Sequence, residues 1–169
     1  MDKLFQKAID NRFADFKGLI LDASVPVPQS IINEITWIAL KGSKSISDCQ
    51  VFIHEQNQVS VNLKTTLLPW TLNLKLKLDH SVDLASFSSP KIRAWLENNR
   101  LLGSLGSFFN MLPEGVKLYG NQIVLDIAPL LETSEQRRML ELIKPLIKSA
   151  EIRTEEGKVI FDVSLRVEE

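Results

Sequence analysis

The sequence predicts an α+β domain, a curved antiparallel sheet (meander plus hairpins) packed on long amphipathic helices. Three observations predict it. Between residues 49 and 78 apolar and polar residues alternate almost without exception, the period of strands with one buried and one wet face. Segments before and after that stretch carry apolar residues at three- and four-residue steps, the period of a helix with one buried stripe. The 169 residues are 44% hydrophobic and 24% charged, enough for one domain with its own core. No repeat, low-complexity tract or linker-like stretch divides the chain, so residues 1–169 read as a single domain.

The first expected element is a helix over 2–16, with Leu4, Phe5, Ala8, Ile9, Phe13 and Phe16 on one face, ended by Gly18. Leu19, Leu21, Ala23 and Val25 then alternate as a strand, which Pro26 and Pro28 break. A second helix is expected over 28–40, with Ile31, Ile32, Ile35, Ile38 and Ala39 as its buried stripe and Gly42 as its stop. Cys49, Val51 and Ile53 form one strand, and Gln56-Asn57-Gln58 makes a turn. Val59, Val61, Leu63, Thr65 and Leu67 follow, then Leu72, Leu74, Leu76 and Leu78 after Pro69, which together read as an antiparallel meander.

Ser89-Pro90 looks like a helix start, and Ile92, Trp95, Leu96, Leu101, Leu102, Leu105, Phe108, Phe109 and Leu112 place a long helix over 90–112. Gly103 and Gly106 soften its second half. A hairpin turns at Gly120-Asn121, and a helix over 134–149 is interrupted at Pro145. The last hairpin turns at Glu156-Gly157, before the alternating Val159, Phe161, Val163, Leu165 and Val167.

Composition removes several classes of function. Lys and Arg total 20 against 21 Asp and Glu, a net charge of −1, which argues against a dedicated nucleic-acid binder. A lone Cys49 cannot form an internal disulfide or a cysteine-built zinc site, and two histidines leave little for a histidine-rich one. No cofactor or metal is expected. The charged start Met1-Asp2-Lys3 is unlike a secretory leader, and no apolar run approaches the ~18–20 residues that span a bilayer. The expected location is therefore cytoplasmic, with peripheral membrane contact as an added expectation.

The catalytic motifs are thin. Gly103-Ser104-Leu105-Gly106-Ser107 lacks the lysine of a phosphate loop and lies inside an apolar periodic stretch. There is no G-x-S-x-G elbow, and His54 and His80 each fall at the end of an inferred strand, near a turn. Asp22, Asp126 and Asp162 take the opposite parity from the apolar rows of their strands, which points them to solvent. Lys64, Lys75 and Lys77 share an outward sheet face that could meet anionic headgroups but reads first as a solvated face. The chain is expected not to be an enzyme.

What remains is the apolar inventory. A curved sheet faced by a helix that can bend could hold an acyl chain, and the same residues could equally interlock as a dry core. Two stretches bear on this choice. Ser24-Val25-Pro26-Val27-Pro28-Gln29-Ser30-Ile31-Ile32-Asn33-Glu34-Ile35 resembles the strand–proline–helix start of bacterial tubular lipid-binding (BPI-like, LmeA-like) domains. Leu112-Pro113-Glu114-Gly115-Val116-Lys117-Leu118, continuing through Gly120-Asn121 to Ile127, is similar to the hairpin after their long helix. The resemblance implies a twisted sheet that wraps long helices around an apolar tunnel, with no catalytic residues. Its ligand contacts would be apolar wall positions, here Val61, Leu63, Leu72, Leu74 and Leu76 on the sheet, faced by Leu102, Leu105, Phe108 and Phe109.

The expected function is non-enzymatic binding of a lipid or other apolar small molecule between the sheet and the 90–112 helix. The alternative is a protein-interaction or assembly module with a dry, fully packed core, docking through a sheet edge or the N-terminal helix.

Overall fold

The alternating stretch becomes three consecutive antiparallel strands, and three later strands extend their sheet. The computed structural model describes residues 17–41, 43–66, 68–82, 90–97, 115–126 and 144–167. In chain order these form β1 (Ile20–Pro28), α1 (Gln29–Leu40), β2 (Ile46–Ile53), β3 (Gln58–Thr65), β4 (Leu72–Leu78), β5 (Lys91–Leu96), β6 (Val116–Tyr119), β7 (Gln122–Asp126), β8 (Ile147–Glu155) and β9 (Lys158–Arg166). A 3-10 turn, Lys144–Leu146, precedes β8.

Two antiparallel sheets result. The larger has the order β2-β3-β4-β5-β7-β6 and curls into a half-barrel; the smaller has the order β1-β9-β8. The described residues are therefore mostly strand with one short helix, not the expected α+β sheet packed on long helices. The main correction falls at residues 91–96, expected as the start of the 90–112 helix. Ile92, Trp95 and Leu96 fit a helical step, but Ile92, Ala94 and Leu96 equally fit a strand, and so short a run cannot decide between them. Strand pairing decides. β5 joins Leu76–Leu78 of β4 on one side and Gln122–Asp126 of β7 on the other, satisfying backbone groups that two neighbouring strands would otherwise leave open. Pro90, taken as a helix start, also suits the first position of a strand.

The expected 134–149 helix is corrected in the same way at its end. Ile147–Glu155 is a strand, paired along β9 with one register irregularity between Ile147 and Ser149. The rest of that segment, the 2–16 helix and the later part of the 90–112 helix lie outside the described residues.

The two sheets are tied together behind β4. The Val82 N–H donates to the Ala150 carbonyl (3.0 Å) and the Ile152 N–H to the His80 carbonyl (2.7 Å), so the chain leaving β4 pairs with the free side of β8. Beside this crossing sits Asn57, in a turn where both Gln56 and Asn57 take positive φ, as the two central residues of a tight hairpin do. Its side-chain Oδ1 accepts from the Thr154 N–H (2.9 Å) and its Nδ2 donates to the Ile152 carbonyl (3.1 Å). Those main-chain groups fix the amide's orientation, so His80 Nδ1, 2.9 Å from Nδ2, must be an acceptor with its ring hydrogen on Nε2. The Asn57 N–H donates to Thr154 Oγ1 (2.7 Å) and its carbonyl accepts from Leu78 (2.8 Å), so every polar group of this buried residue is paired.

Two apolar clusters fill the space inside. One holds Ile46, Leu63, Leu72, Leu74 and Leu96; the other holds Val51, Ile53 and Val59 of the large sheet with Ile152 and Val159 of the small one. Val61 and Leu76 touch both clusters and join them into one core. Ile53 and Ile152 are each only 1% exposed, so the contact between the sheets is the most tightly closed part of the molecule.

Candidate functional site

Helix α1 is placed by hydrogen bonds of unusual polarity. β2 is an edge strand, paired only with β3, so its outward N–H and C=O groups need partners. Asn33 supplies both for Val51: its Oδ1 accepts the Val51 N–H (2.7 Å) and its Nδ2 donates to the Val51 carbonyl (2.9 Å), as a neighbouring strand would. One turn earlier, Gln29 Oε1 accepts the Ile53 N–H (2.8 Å). The Ile53 carbonyl accepts from the Gly157 N–H (3.0 Å), and the Gly157 carbonyl accepts from the Gln29 N–H (2.9 Å). That ring of three bonds ties the helix start to β2 and to the β8–β9 hairpin. Gly157 can turn there because its φ is +73.

The consequence is an inverted helix. Positions 29 and 33 lie on one face, and that face, with Ile32, Thr36 and Leu40, looks toward the protein. Ile31, Ile35 and Ile38, at steps of four and three, therefore look away, 45%, 48% and 49% exposed, with Trp37 at 56% beside them. The sequence pattern is an apolar stripe, as expected, but the expected burial of Ile31, Ile35 and Ile38 is overturned. Lys41 and Lys44 follow the stripe and are exposed, as is Glu34 within it. A shallow depression of about 210 Å³ opens at the helix end, between Trp37, Leu40, Ile46 and Cys49. Burial, and after it the neighbouring Asp48 charge, pushes the Cys49 thiol up to about 11, so it is no nucleophile at neutral pH.

The expected wall residues separate into two groups. Leu63, Leu72 and Leu74 are buried in the core, and Val61 and Leu76 are partly buried against both clusters. Leu102, Leu105, Phe108 and Phe109 lie outside the described residues. The first turns of the helix that was to face the sheet are instead β5, a member of that sheet.

Polar side chains cluster in three further places among the described residues: Lys91, Arg93, Lys117 and Asp126 line a depression on β5–β7, and two other groups bear on catalysis. On the small sheet, Ser24 donates to Asp162, which also receives Arg153 Nε (2.7 Å); Arg153 and Lys158 both hold Glu155 (2.6 and 2.7 Å). The Ser24 hydrogen bond first, and Arg153 second, hold the Asp162 carboxyl below the usual carboxylate range, so it stays an anion and is not a proton donor near neutrality. On the half-barrel, His54 Nε2 lies 3.1 Å from Ser60 Oγ, and Glu156 stands 4.0 Å from His54 Nδ1. This has the order of a Ser–His–acid triad without its working parts. Glu156 is well exposed and beyond hydrogen-bond reach, and Ser60 lies inside β3 between two paired strands, so its own N–H serves the ladder and not an oxyanion. Among the described residues no group of three or more His, Cys, Asp or Glu could hold a metal ion, and no helix is long and apolar enough to cross a membrane.

Sequence reasoning missed the roles of Gln29 and Asn33, and placed Asn57 in its turn without the side-chain bonds it makes there. The signal for the first two was present, since amides four residues apart share a helix face. No protein-family model, curated protein or solved structure matches this chain.

Proposed function

We propose that this chain is a non-enzymatic lipid-binding domain that presents α1 to a lipid surface. One observation carries the reading: Gln29 and Asn33 lock the polar side of α1 onto β2, which leaves the Ile31–Ile35–Ile38 stripe and Trp37 turned outward. The contact surface thus moves from the interior of the sheet, where Leu63, Leu72 and Leu74 already pack together, to the outside of the helix. An apolar helix face with a tryptophan at its border and lysines beyond it is the pattern of an interfacial helix.

Magnitudes set the strength of the contact. About half of each isoleucine remains to be buried, a gain of about 1 kcal/mol per side chain. Lys41 and Lys44 add about 1 kcal/mol each near an anionic surface, which Glu34 partly offsets. The sum supports reversible contact and not stable anchoring.

The test is flotation with phosphatidylcholine vesicles, with and without a fifth part of phosphatidylglycerol. The wild type should float with the anionic vesicles, and the Ile35→Glu/Ile38→Glu double variant should lose at least tenfold in bound fraction while keeping its melting midpoint. A wild type that stays at the bottom with both vesicles overturns the reading. So does a double variant that unfolds, because the stripe would then be core.

The packed inner rows favour a second reading, an assembly module in which the same stripe meets another protein. Concentration-dependent association of the wild type without lipid, abolished in the double variant, is its mark.

A further inference from the structure

Residues 91–96, as the strand β5, bring together cations that a helix would have turned to opposite sides. Ala94 and Leu96 are buried and Ile92 packs against the core, so Lys91 and Arg93 take the outer face of the half-barrel. The register sets Arg93, Val124 and Lys117 in one row across β5, β7 and β6, with Lys91 beside Asp126 in the next. Gly115 continues that second row, since its carbonyl accepts the Asp126 N–H (2.7 Å). Gly115 has no side chain and Val124 a short one, so the middle of this face is low. The longer side chains around it, Tyr119 included, enclose a depression of about 340 Å³. That is the size of a small-molecule site.

We propose that this depression binds a small, soluble phosphate monoester. Charge is the first argument. The lining holds three cations and one acid, an excess of two positive charges in a chain whose net charge is −1. A phosphate monoester carries close to two negative charges near neutrality. Asp79, whose N–H donates to the Arg93 carbonyl (2.8 Å), is the neighbouring acid on the β4 side and does not line the depression. Geometry is the second argument. Arg93 and Lys117 flank Val124, two strand spacings or about 10 Å apart at the backbone, so their charges approach one group from both sides. The arginine fork pairs with phosphate oxygens two at a time. Val124 and the Tyr119 ring offer an apolar floor and wall to the organic part. The site lies at the β6 end of the large sheet, whereas α1 covers β2 at the other end. The inference therefore goes beyond the lipid reading and does not depend on it.

Titration of the full chain with phenyl phosphate, followed by amide chemical shifts, tests it, with benzoate as the singly charged control. The largest shifts should fall at 91–95, 116–119 and 122–126, with half-saturation at least fivefold lower than for benzoate. Arg93→Gln and Lys117→Gln should each weaken phenyl phosphate at least fivefold without moving the melting midpoint. Lys117 is exposed, so its variant decides the matter even where Arg93→Gln unfolds. Lys75→Gln, on the same sheet face but outside the depression, should leave binding within twofold. No shift with about 10 mM phenyl phosphate overturns the proposal. An equal loss in Lys75→Gln overturns it as well, because the attraction would then belong to the whole face. So does binding to phosphatidic acid vesicles without any response to phenyl phosphate, because the phosphate would then have to be held in a membrane.

Discussion

β4 and α1 carry apolar rows of equal regularity, and the molecule treats them in opposite ways. Leu72 and Leu74 of β4 face inward and are buried; Ile31, Ile35 and Ile38 of α1 face outward and are half exposed. Periodicity states which side chains share a face, not which way that face looks. For β4 the direction follows from its polar alternates, because Asn73 and Lys75 cannot go inside. For α1 the polar alternates include Gln29 and Asn33, and these do go inside, because an open strand edge offers each of them hydrogen bonds as good as those in water.

The sharpest way to break this comparison is to shorten one residue from each row. Leu74→Ala leaves a cavity in the first core cluster and should cost about 2–5 kcal/mol in urea unfolding. Ile35→Ala removes a side chain that is half in solvent and should stay within about 0.5 kcal/mol. Equal costs would mean that the stripe of α1 is buried in the folded protein, and the outward face would lose its special status.

A smaller effect is expected from the bonds that orient the helix. Asn33→Ala leaves the Val51 N–H and C=O without their partner and should cost about 1–3 kcal/mol. It also opens the β2 edge, so association that grows with concentration should appear in sedimentation. A variant as stable and as monodisperse as the wild type would show that packing, not the amide, holds α1 in place.

The same contrast explains how much of the molecule could be read beforehand. The strands at Cys49–Ile53, Val59–Thr65 and Leu72–Leu78 were legible because each has one wet face, so composition and geometry agree. The turns at Gln56-Asn57, Gly120-Asn121 and Gly157 were legible from residue types that tolerate positive φ. β5 was not, because Lys91–Leu96 is six residues long, carries apolar side chains at both periods, and becomes a strand only through partners that are distant in sequence. Only the start of β8 was misread, because an irregularity in register between Ile147 and Ser149 blurs its alternation there, while the hairpin at Glu156-Gly157 that β8 and β9 form was legible. Of the expected site, the wall at Leu63, Leu72 and Leu74 was legible as an inward row, but a row that lines a cavity and a row that fills a core have the same pattern. The edge-covering role of Asn33 could not be read from one strand of sequence, since it exists only where α1 meets β2.

The smallest expected effect concerns the Ser24–Asp162–Arg153 group on the small sheet. Asp162 sits on the wet side, where the Ser24 hydroxyl and, next, Arg153 favour its anion and lower its folded pKa below that of the unfolded chain. A group shifted in that direction stabilises the fold at all pH values above its unfolded pKa, about 3.9 for an aspartate. The stabilisation is then lost as pH falls through the lower folded value. The melting midpoint of the wild type should therefore exceed that of Asp162→Asn by a small constant margin from pH 7 to about pH 5. Below about pH 4 the margin should shrink and close. Added salt should narrow it at every pH, because Asp162 and Arg153 are partly exposed and the charge pairing is screened by solvent. A margin that persists at pH 2 would mean that Asp162 contributes through the shape of its hydrogen bonds and not through its charge.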